Sequence, residues 1–413
     1  MEVGNWILLP FATFLIPLME AVFAVAGTLY AQIFFKRAPH KYSLLIIQIA
    51  TVGREFELVQ NTINKIHSYN LKIPYQIWVV LEPTFRTDYQ GADEIHVVPV
   101  GYECPPVDKA RALHYCWQQR KARGLDRHDI KIMYVDDDTL PSKKYIELGF
   151  AGNYDIAQGL TIPNRWYGVG TFQHWLMSHM DDPRSRNCMV YCSLTQGILQ
   201  KPIYVHGEGL TITGWTESFI GWDFHIVGSD DLVFGTNAAH RGLRWGYFNA
   251  GIQLVSPWTW KEHLKQRHRW TWGNLDAIRG RDILPLNFAI AVACKYLMGY
   301  LATAFSFIGI ALLETGTVQV SNEVEAIFYT SLATWVISYM IPAWICCGGE
   351  PNRELRPKWW RRTGYRIVQT LWAVVLIPIT AFGPMLVITY CLFLGRPDRF
   401  TMISKNSAAV TGI

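Results

Sequence analysis

From about Trp6 to Phe35 the chain is almost continuously apolar, interrupted only by Pro10, Pro17, Glu20 and a few small or polar residues. A bilayer span takes roughly 20 apolar residues, so the stretch predicts one long helix, or a span with an interfacial piece. It is too long for the core of a signal peptide, and no small-residue cleavage site follows it. At Ser43 the pattern changes. Leu44–Ala50 and Ile77–Leu81 are short continuous runs rich in Ile and Val, the pattern of strands buried on both faces of a parallel sheet. Between them Phe56, Val59, Ile63 and Ile66 recur at helical spacing. Glu94–Val100 predicts a third strand and Lys109 to about Ala122 a helix; Ile130–Val135 predicts a fourth strand that stops at three carboxylates. This alternation predicts a twisted, mostly parallel α/β sheet that holds its ligands beyond the carboxyl ends of the strands. From Tyr154 to about Trp245 short strands, loops and helices mix, and no strand order is legible. Apolar runs resume at Leu286–Leu313, Ala326–Cys347 and Ile367–Leu394. Pro378 and Pro384 interrupt the last, which reads as a bent span or a re-entrant hairpin.

Half of the 413 residues are apolar and 17% are charged, with the apolar ones gathered at the two ends. The reading is therefore an integral membrane protein: a transmembrane segment over residues 1–36, a soluble domain over 37–260, an interfacial segment over 261–285, transmembrane helices over 286–395 and a tail over 396–413. Lys36, Arg37 and Lys41 follow the first run. The connector Glu314–Glu325 carries three acids and no Lys or Arg, whereas the next carries Arg353, Arg356, Lys358, Arg361, Arg362 and Arg366. By the positive-inside rule the acidic connector lies outside, and the soluble domain is cytoplasmic. The net charge of +5 comes from basic residues beside apolar runs, which suits a membrane surface. No aromatic platform with interleaved basic residues appears, so nucleic acid is not an expected partner. Cys188 and Cys192 are four apart, Cys346 and Cys347 adjacent, and there is no C-x-x-C, so the eight cysteines predict reduced thiols and no zinc.

Three strings carry chemistry: Val-Asp136-Asp137-Asp138-Thr, Gly-Ser-Asp230-Asp231-Leu and Gln266-Arg-His-Arg269-Trp270. In an extended segment Asp136 and Asp138 share a face and can approach one cation, for which hard Mg²⁺ or Mn²⁺ is the natural choice. A solvated acidic turn is the plain alternative. Asp230-Asp231 precedes what reads as a helix start, where two acids can simply cap the N-terminus. Gln266, Arg269 and Trp270 fall on one helix face, able to meet a ligand together. A basic, aromatic interfacial helix would have the same composition.

This order of parts resembles the membrane-bound family 2 glycosyltransferases, the group of cellulose, chitin and hyaluronan synthases, over roughly residues 43–275 and the membrane frame. Ser256-Pro257 ahead of Gln266-Arg-x-Arg-Trp matches the spacing of the Egghead-type β-1,4-mannosyltransferases. The resemblance implies a GT-A (Rossmann-like) fold, a nucleotide-sugar donor (GDP-mannose or a UDP-sugar), Mg²⁺ or Mn²⁺, and inversion to a β-linkage on a membrane-associated lipid-linked or polysaccharide acceptor. It assigns Asp136 and Asp138 to the D-x-D metal and donor site, with Asp138 the more direct ligand. Asp231 becomes the base that deprotonates the acceptor hydroxyl, with Asp230 beside it on the acceptor side. Arg269 would grip the diphosphate, Trp270 would stack on the acceptor sugar, and Gln266 would face the acceptor. Lys109, in Asp-Lys-Ala-Arg-Ala-Leu, resembles the family's helix start, whose lysine faces the nucleotide. Glu82 ends the second strand, where relatives often put a base-contacting Asp, but the string here is Val-Val-Leu-Glu-Pro. His206-Gly-Glu208-Gly reads as acceptor lining or as a turn between strands. Trp222-Asp223-Phe224 is family-like with no derived role. Two enzyme readings compete: addition of one sugar, or a processive synthase that extrudes its chain. A transporter or scaffold with idle carboxylates is the reading from another class.

Overall fold

The computed structural model describes residues 15–35, 37–38, 42–83, 86–163, 171–224, 228–280, 283–348 and 356–396. Its centre is an eight-stranded sheet in the order β3-β2-β1-β4-β7-β6-β8-β5. Strands β1 (Leu44–Thr51), β2 (Tyr75–Leu81), β3 (Glu94–Val97) and β4 (Ile130–Asp136) pair in parallel. Their continuous apolar runs are explained by helices on both faces. Helix α2 (Phe56–Ser68) buries Phe56, Val59, Ile63 and Ile66 against Ile47, Ile49 and Val79. Helix α3 (Asp108–Ala122) buries Ala112, Leu113, Cys116 and Trp117 against the alternate residues Ile46, Trp78, Val80 and Ile132.

Beyond β4 the sheet becomes mixed. Short β5 (Thr139–Pro141) runs antiparallel to β8 (Trp245–Leu254), which lies parallel to β6 (Ile156–Pro163). Three-residue β7 (Thr211–Thr213) wedges antiparallel between β4 and β6 and joins the two halves. Two α-helices, Phe172–Met180 and Asp182–Asn187, lead into a π-helix, Cys188–Ile198. Across the α3 face lies a buried polar knot. Arg120 forms an ion pair with Glu217 on the helix Gly214–Ile220, its Nε donating over 2.8 Å. The Tyr134 hydroxyl also donates to Glu217, as does Trp222 Nε1 at 3.1 Å. Trp222 stacks on Phe234 with ring centroids 4.5 Å apart, and Asp223 accepts from or pairs with His114 at 2.9 Å. The Trp222–Phe224 string thus has a structural role.

Apolar helices surround this domain. Helix α1 (Leu15–Ile33) packs on the π-helix, and a Cβ at Gly27 would lie 2.1 Å from Ser193 Oγ, so only glycine allows that approach. The earlier part of the first apolar run lies outside the described residues, as do Lys36, Lys41, Arg353 and all but Arg396 of the tail. Among the described residues three helices are long and apolar enough to cross a membrane: Leu286–Glu314, Asn322–Cys346 and Ile377–Leu394. The run Ile367–Leu394, read from the sequence as a bent span or a re-entrant hairpin, is not one continuous helix. It divides at Leu376 between Trp359–Val375, with Trp359 and Trp360 exposed beside Arg361 and Arg362, and the apolar helix Ile377–Leu394, which has Pro378 in its first turn.

Candidate active site

Strand β4 ends at Asp136, and the following turn is closed by one hydroxyl. Thr139 Oγ1 accepts from the Asp136 amide at 3.0 Å and donates to the Asp136 carbonyl at 3.0 Å. The Val255 amide donates to the Asp138 carbonyl (3.0 Å), and the Thr51 hydroxyl donates to Asp137 Oδ2 (3.1 Å). This turn forms one wall of a cavity of about 1470 Å³. Glu82, Lys109, Asp136, Asp138, Glu208, Asp230, Asp231, Gln266, Arg269 and Trp270, scattered over the sequence, all line it.

Lys109, in the first turn of α3, donates from Nζ to Asp136 Oδ1 at 2.5 Å. Burial alone would lower its pKa, but Asp136, then Asp230 and Asp231, outweigh burial and raise it. Asp136 therefore meets the cavity already ion-paired. Glu82 is engaged too: Arg111 donates to it from Nη1 and to the carbonyls of Pro99 (2.7 Å) and Tyr102 (3.1 Å). The oxygen-only donor set of Asp136, Asp137 and Asp138 fits a hard divalent cation such as Mg²⁺ or Mn²⁺.

Across the cavity a helix begins at the acid pair, Asp230–His240. Gly228 (φ +110°) and Ser229 (φ 58°) bend the chain just before it. The Ser229 hydroxyl donates to Asn274 Oδ1 at 2.9 Å, and a Cβ at Gly273 would lie 3.1 Å from the Gly228 carbonyl carbon. The acid pair is thereby clamped to the helix Trp260–Arg279, whose start is fixed by a Thr259–Glu262 capping box. Asp231 Oδ1 accepts from the Leu232 amide at 2.8 Å. Burial pushes the Asp231 carboxyl up to about 7, helped by the charges of Asp230 and Glu208 and opposed by Lys109 and the Leu232 amide. A carboxyl held there can take up a proton near neutral pH. A Cβ at Gly207 would sit 3.0 Å from Lys109 Nζ and 3.7 Å from Asp231 Oδ2, so lysine, acid and the 206–209 loop converge.

That loop and the long helix complete the lining. Glu208 is buried in an ion pair with Arg184, and its carbonyl lies 3.0 Å from His206 Nδ1. Two guanidinium carbons lie over the Trp270 ring, Arg184 at 4.6 Å and Arg267 at 4.7 Å, and Arg267 Nη2 donates to buried Asp181 at 2.6 Å. The expected stacking ring is therefore already in contact with two cations. Gln266 is buried, and its Oε1 accepts from no described residue. Such an orphan is costly, and a ligand hydroxyl would satisfy it. Arg184 and Asp181 had no sequence signal, since Asp181-Asp-Pro-Arg184 reads as an ordinary polar turn. From Trp270 the cavity continues between two apolar helices, lined by Tyr296, Tyr300 and Thr303 on one side and Pro384, Ile388 and Leu392 on the other.

One cluster of cysteines arises from the fold and not from sequence spacing. Although no metal spacing exists in the sequence, the π-helix and the 206–209 loop bring Cys188, Cys192 and His206 together, with ligand atoms all within 4.8 Å of one another. Linear spacing could not show it, because the histidine comes from a separate loop.

The family model described as "Glycosyl transferase family group 2" matches residues 131–347. The chain is 24% identical over 295 residues to the β-1,4-mannosyltransferase egh of Drosophila melanogaster, covering 67% of this chain and 63% of that protein. It is 26% identical over 195 residues to the β-1,4-mannosyltransferase bre-3 of Caenorhabditis elegans, covering 46% of this chain and 42% of that one. It thus spans less than two thirds of the length of these relatives. Among solved structures, a mannosyltransferase of Pyrobaculum calidifontis in complex with GDP-Man and Mn²⁺ is similar at 13% identity and a TM-score of 0.44, covering 89% of this chain and 98% of that one.

Proposed function

The chain belongs to glycosyl transferase family group 2, and from that membership and the cavity's lining we propose that it is an inverting hexosyltransferase of GT-A type acting on a membrane-associated acceptor. The names of the egh and bre-3 relatives favour mannose, with GDP-mannose ahead of a UDP-sugar as donor. Asp138, with Asp136 beside it, would hold Mg²⁺ or Mn²⁺. When bound, the cation supplies positive charge that offsets the diphosphate. Lys109 keeps Asp136 oriented, and the planar fork of Arg269 suits two phosphate oxygens. Asp231 takes the proton of the acceptor hydroxyl as that oxygen bonds to the anomeric carbon. The bond from that carbon to the diphosphate breaks in the same displacement, and the nucleoside diphosphate leaves with its electron pair. Inversion turns an α-linked donor into a β-linked product. Gln266 Oε1, buried and open to a donor, suits a sugar hydroxyl on the acceptor side.

The observation that carries the acceptor class is the cavity's continuity from the carboxylates to the gap between two apolar helices. A lipid-linked acceptor could lay its apolar chain there while its head reaches Asp231. A soluble donor then requires the domain to be cytoplasmic, in keeping with the basic connector after Cys347. The test uses the purified chain in nanodiscs with Mn²⁺, radiolabelled GDP-mannose, UDP-sugars in parallel, and a glycolipid acceptor. One label per acceptor in the organic phase is expected. A long water-soluble polymer would instead establish the processive synthase, and absence of both transfer and nucleotide release would overturn the enzyme reading.

A further inference from the structure

We propose that Cys188, Cys192 and His206 form a zinc site separate from the Asp136–Asp138 turn, one that ties the π-helix to the loop carrying Glu208. All three side chains are buried, and their sulfur and nitrogen atoms lie within 4.8 Å of one another. Cys188 Sγ is 3.3 Å from His206 Nε2. Zinc bonds of about 2.3 Å to sulfur and about 2.0 Å to nitrogen, at a tetrahedral angle, set a sulfur–nitrogen separation of roughly 3.5 Å. The ligands therefore need little movement to close on the ion.

The surroundings already orient them for it. His206 Nδ1 lies 3.0 Å from the Glu208 carbonyl, the outer-shell contact that fixes the tautomer and leaves Nε2 for a metal. The Thr161 hydroxyl lies 3.0 Å from Nε2, so a small oxygen ligand is at hand for a fourth position. The two cysteines sit at the start of a π-helix, a geometry that is rare and concentrates at functional sites. Two thiolates with an imidazole select a thiophilic cation over Mg²⁺ or Mn²⁺.

On binding, each thiol releases one proton and Zn²⁺ gains two sulfur bonds and one nitrogen bond, with no change of oxidation state. The thiols would give up their contacts to the Gly159 carbonyl at 3.2 Å and the Tyr204 carbonyl at 3.7 Å. In exchange, residues 206–208 would be anchored, and with them Gly207 between Lys109 and Asp231 and the Glu208–Arg184 pair.

The experiment measures metal and is independent of whether the chain transfers sugar. Full-length protein, purified without a metal-binding tag and washed with Mn²⁺ to clear the carboxylates, should carry one zinc per chain by elemental analysis. Cys192→Ser should lose it, while Cys347→Ser, outside the cluster, should keep it. Because Cys192→Ser could misfold, Co²⁺ is titrated into stripped wild-type protein. A thiolate-to-cobalt charge-transfer band that added Zn²⁺ abolishes is expected. Absence of that band in folded wild-type protein overturns the site, as does equal zinc in wild type and folded Cys192→Ser.

Discussion

Replacing Asp231 with Asn tests the acid–base reading most directly. The amide keeps the shape and can still accept from the Leu232 amide, but it cannot hold the acceptor's proton. Loss of a general base costs about 10²–10⁴-fold, equivalent to roughly 2.7–5.5 kcal/mol of barrier. Donor affinity should change little, because phosphate binding is ascribed to other residues. The pH profile carries a sharper test. With the Asp231 carboxyl at about 7, about half the molecules hold the base form at neutral pH. The raised value means that the active form is lost as pH falls, so kcat/KM should drop tenfold per unit below about pH 7 and level off above it. Burial is the largest cause of the raised value and Asp230 the next. Asp230→Asn should therefore move the limb toward lower pH without abolishing transfer. The assay is initial-rate transfer from labelled donor between about pH 5 and pH 9, with nucleotide affinity measured in parallel. Near-normal transfer by Asp231→Asn would assign the base elsewhere, Glu208 being the next carboxylate in reach. A limb unmoved by Asp230→Asn would refute the electrostatic coupling of the pair.

Three further outcomes are expected. Asp138→Ala should remove most of the dependence of nucleotide affinity on Mn²⁺, measured by titration with and without the ion; an unchanged metal effect would disprove the D-x-D assignment. Arg269→Lys keeps the charge but loses the fork and should cut activity at least about tenfold, whereas Arg279→Lys, exposed and further along the same helix, should have little effect. Equal, mild losses at both would make the segment a membrane anchor. Glu217→Ala leaves Arg120 buried without its carboxylate and should cost about 3–5 kcal/mol in thermal unfolding, while Arg120→Met with Glu217→Leu should recover much of that loss.

The parallel half of the sheet was legible because its information is local. Runs of Ile and Val buried on both faces announce each strand, and Phe56, Val59, Ile63 and Ile66 announce the helix between two of them. The observed ends differ from expectation by a residue or two, except that β3 stops at Val97 rather than Val100. The second half was illegible for a physical reason: β7 is three residues long and is held between strands far away in sequence, so its pairing leaves no periodic trace. The carboxylate strings and the Gln266–Trp270 segment were readable as clusters. Their partners were not, since Arg184 meets Glu208 and Trp270 only through the fold. The apolar runs after residue 285 coincide with long apolar helices, but the break at Leu376 depends on how Trp359–Val375 packs against the preceding helix, Asn322–Cys346.

The cavity's extension between Leu286–Glu314 and Ile377–Leu394 also bears on how the reaction should be counted. A substrate arriving through that gap would be drawn from two dimensions, so the quantity governing saturation would be its mole fraction among the lipids rather than its molarity. Diluting the acceptor with inert phospholipid at fixed total amount would then slow the reaction, whereas adding more vesicles of constant composition would not. The water-borne donor would obey ordinary bulk concentration, and the two substrates of one active site would follow different laws of dilution.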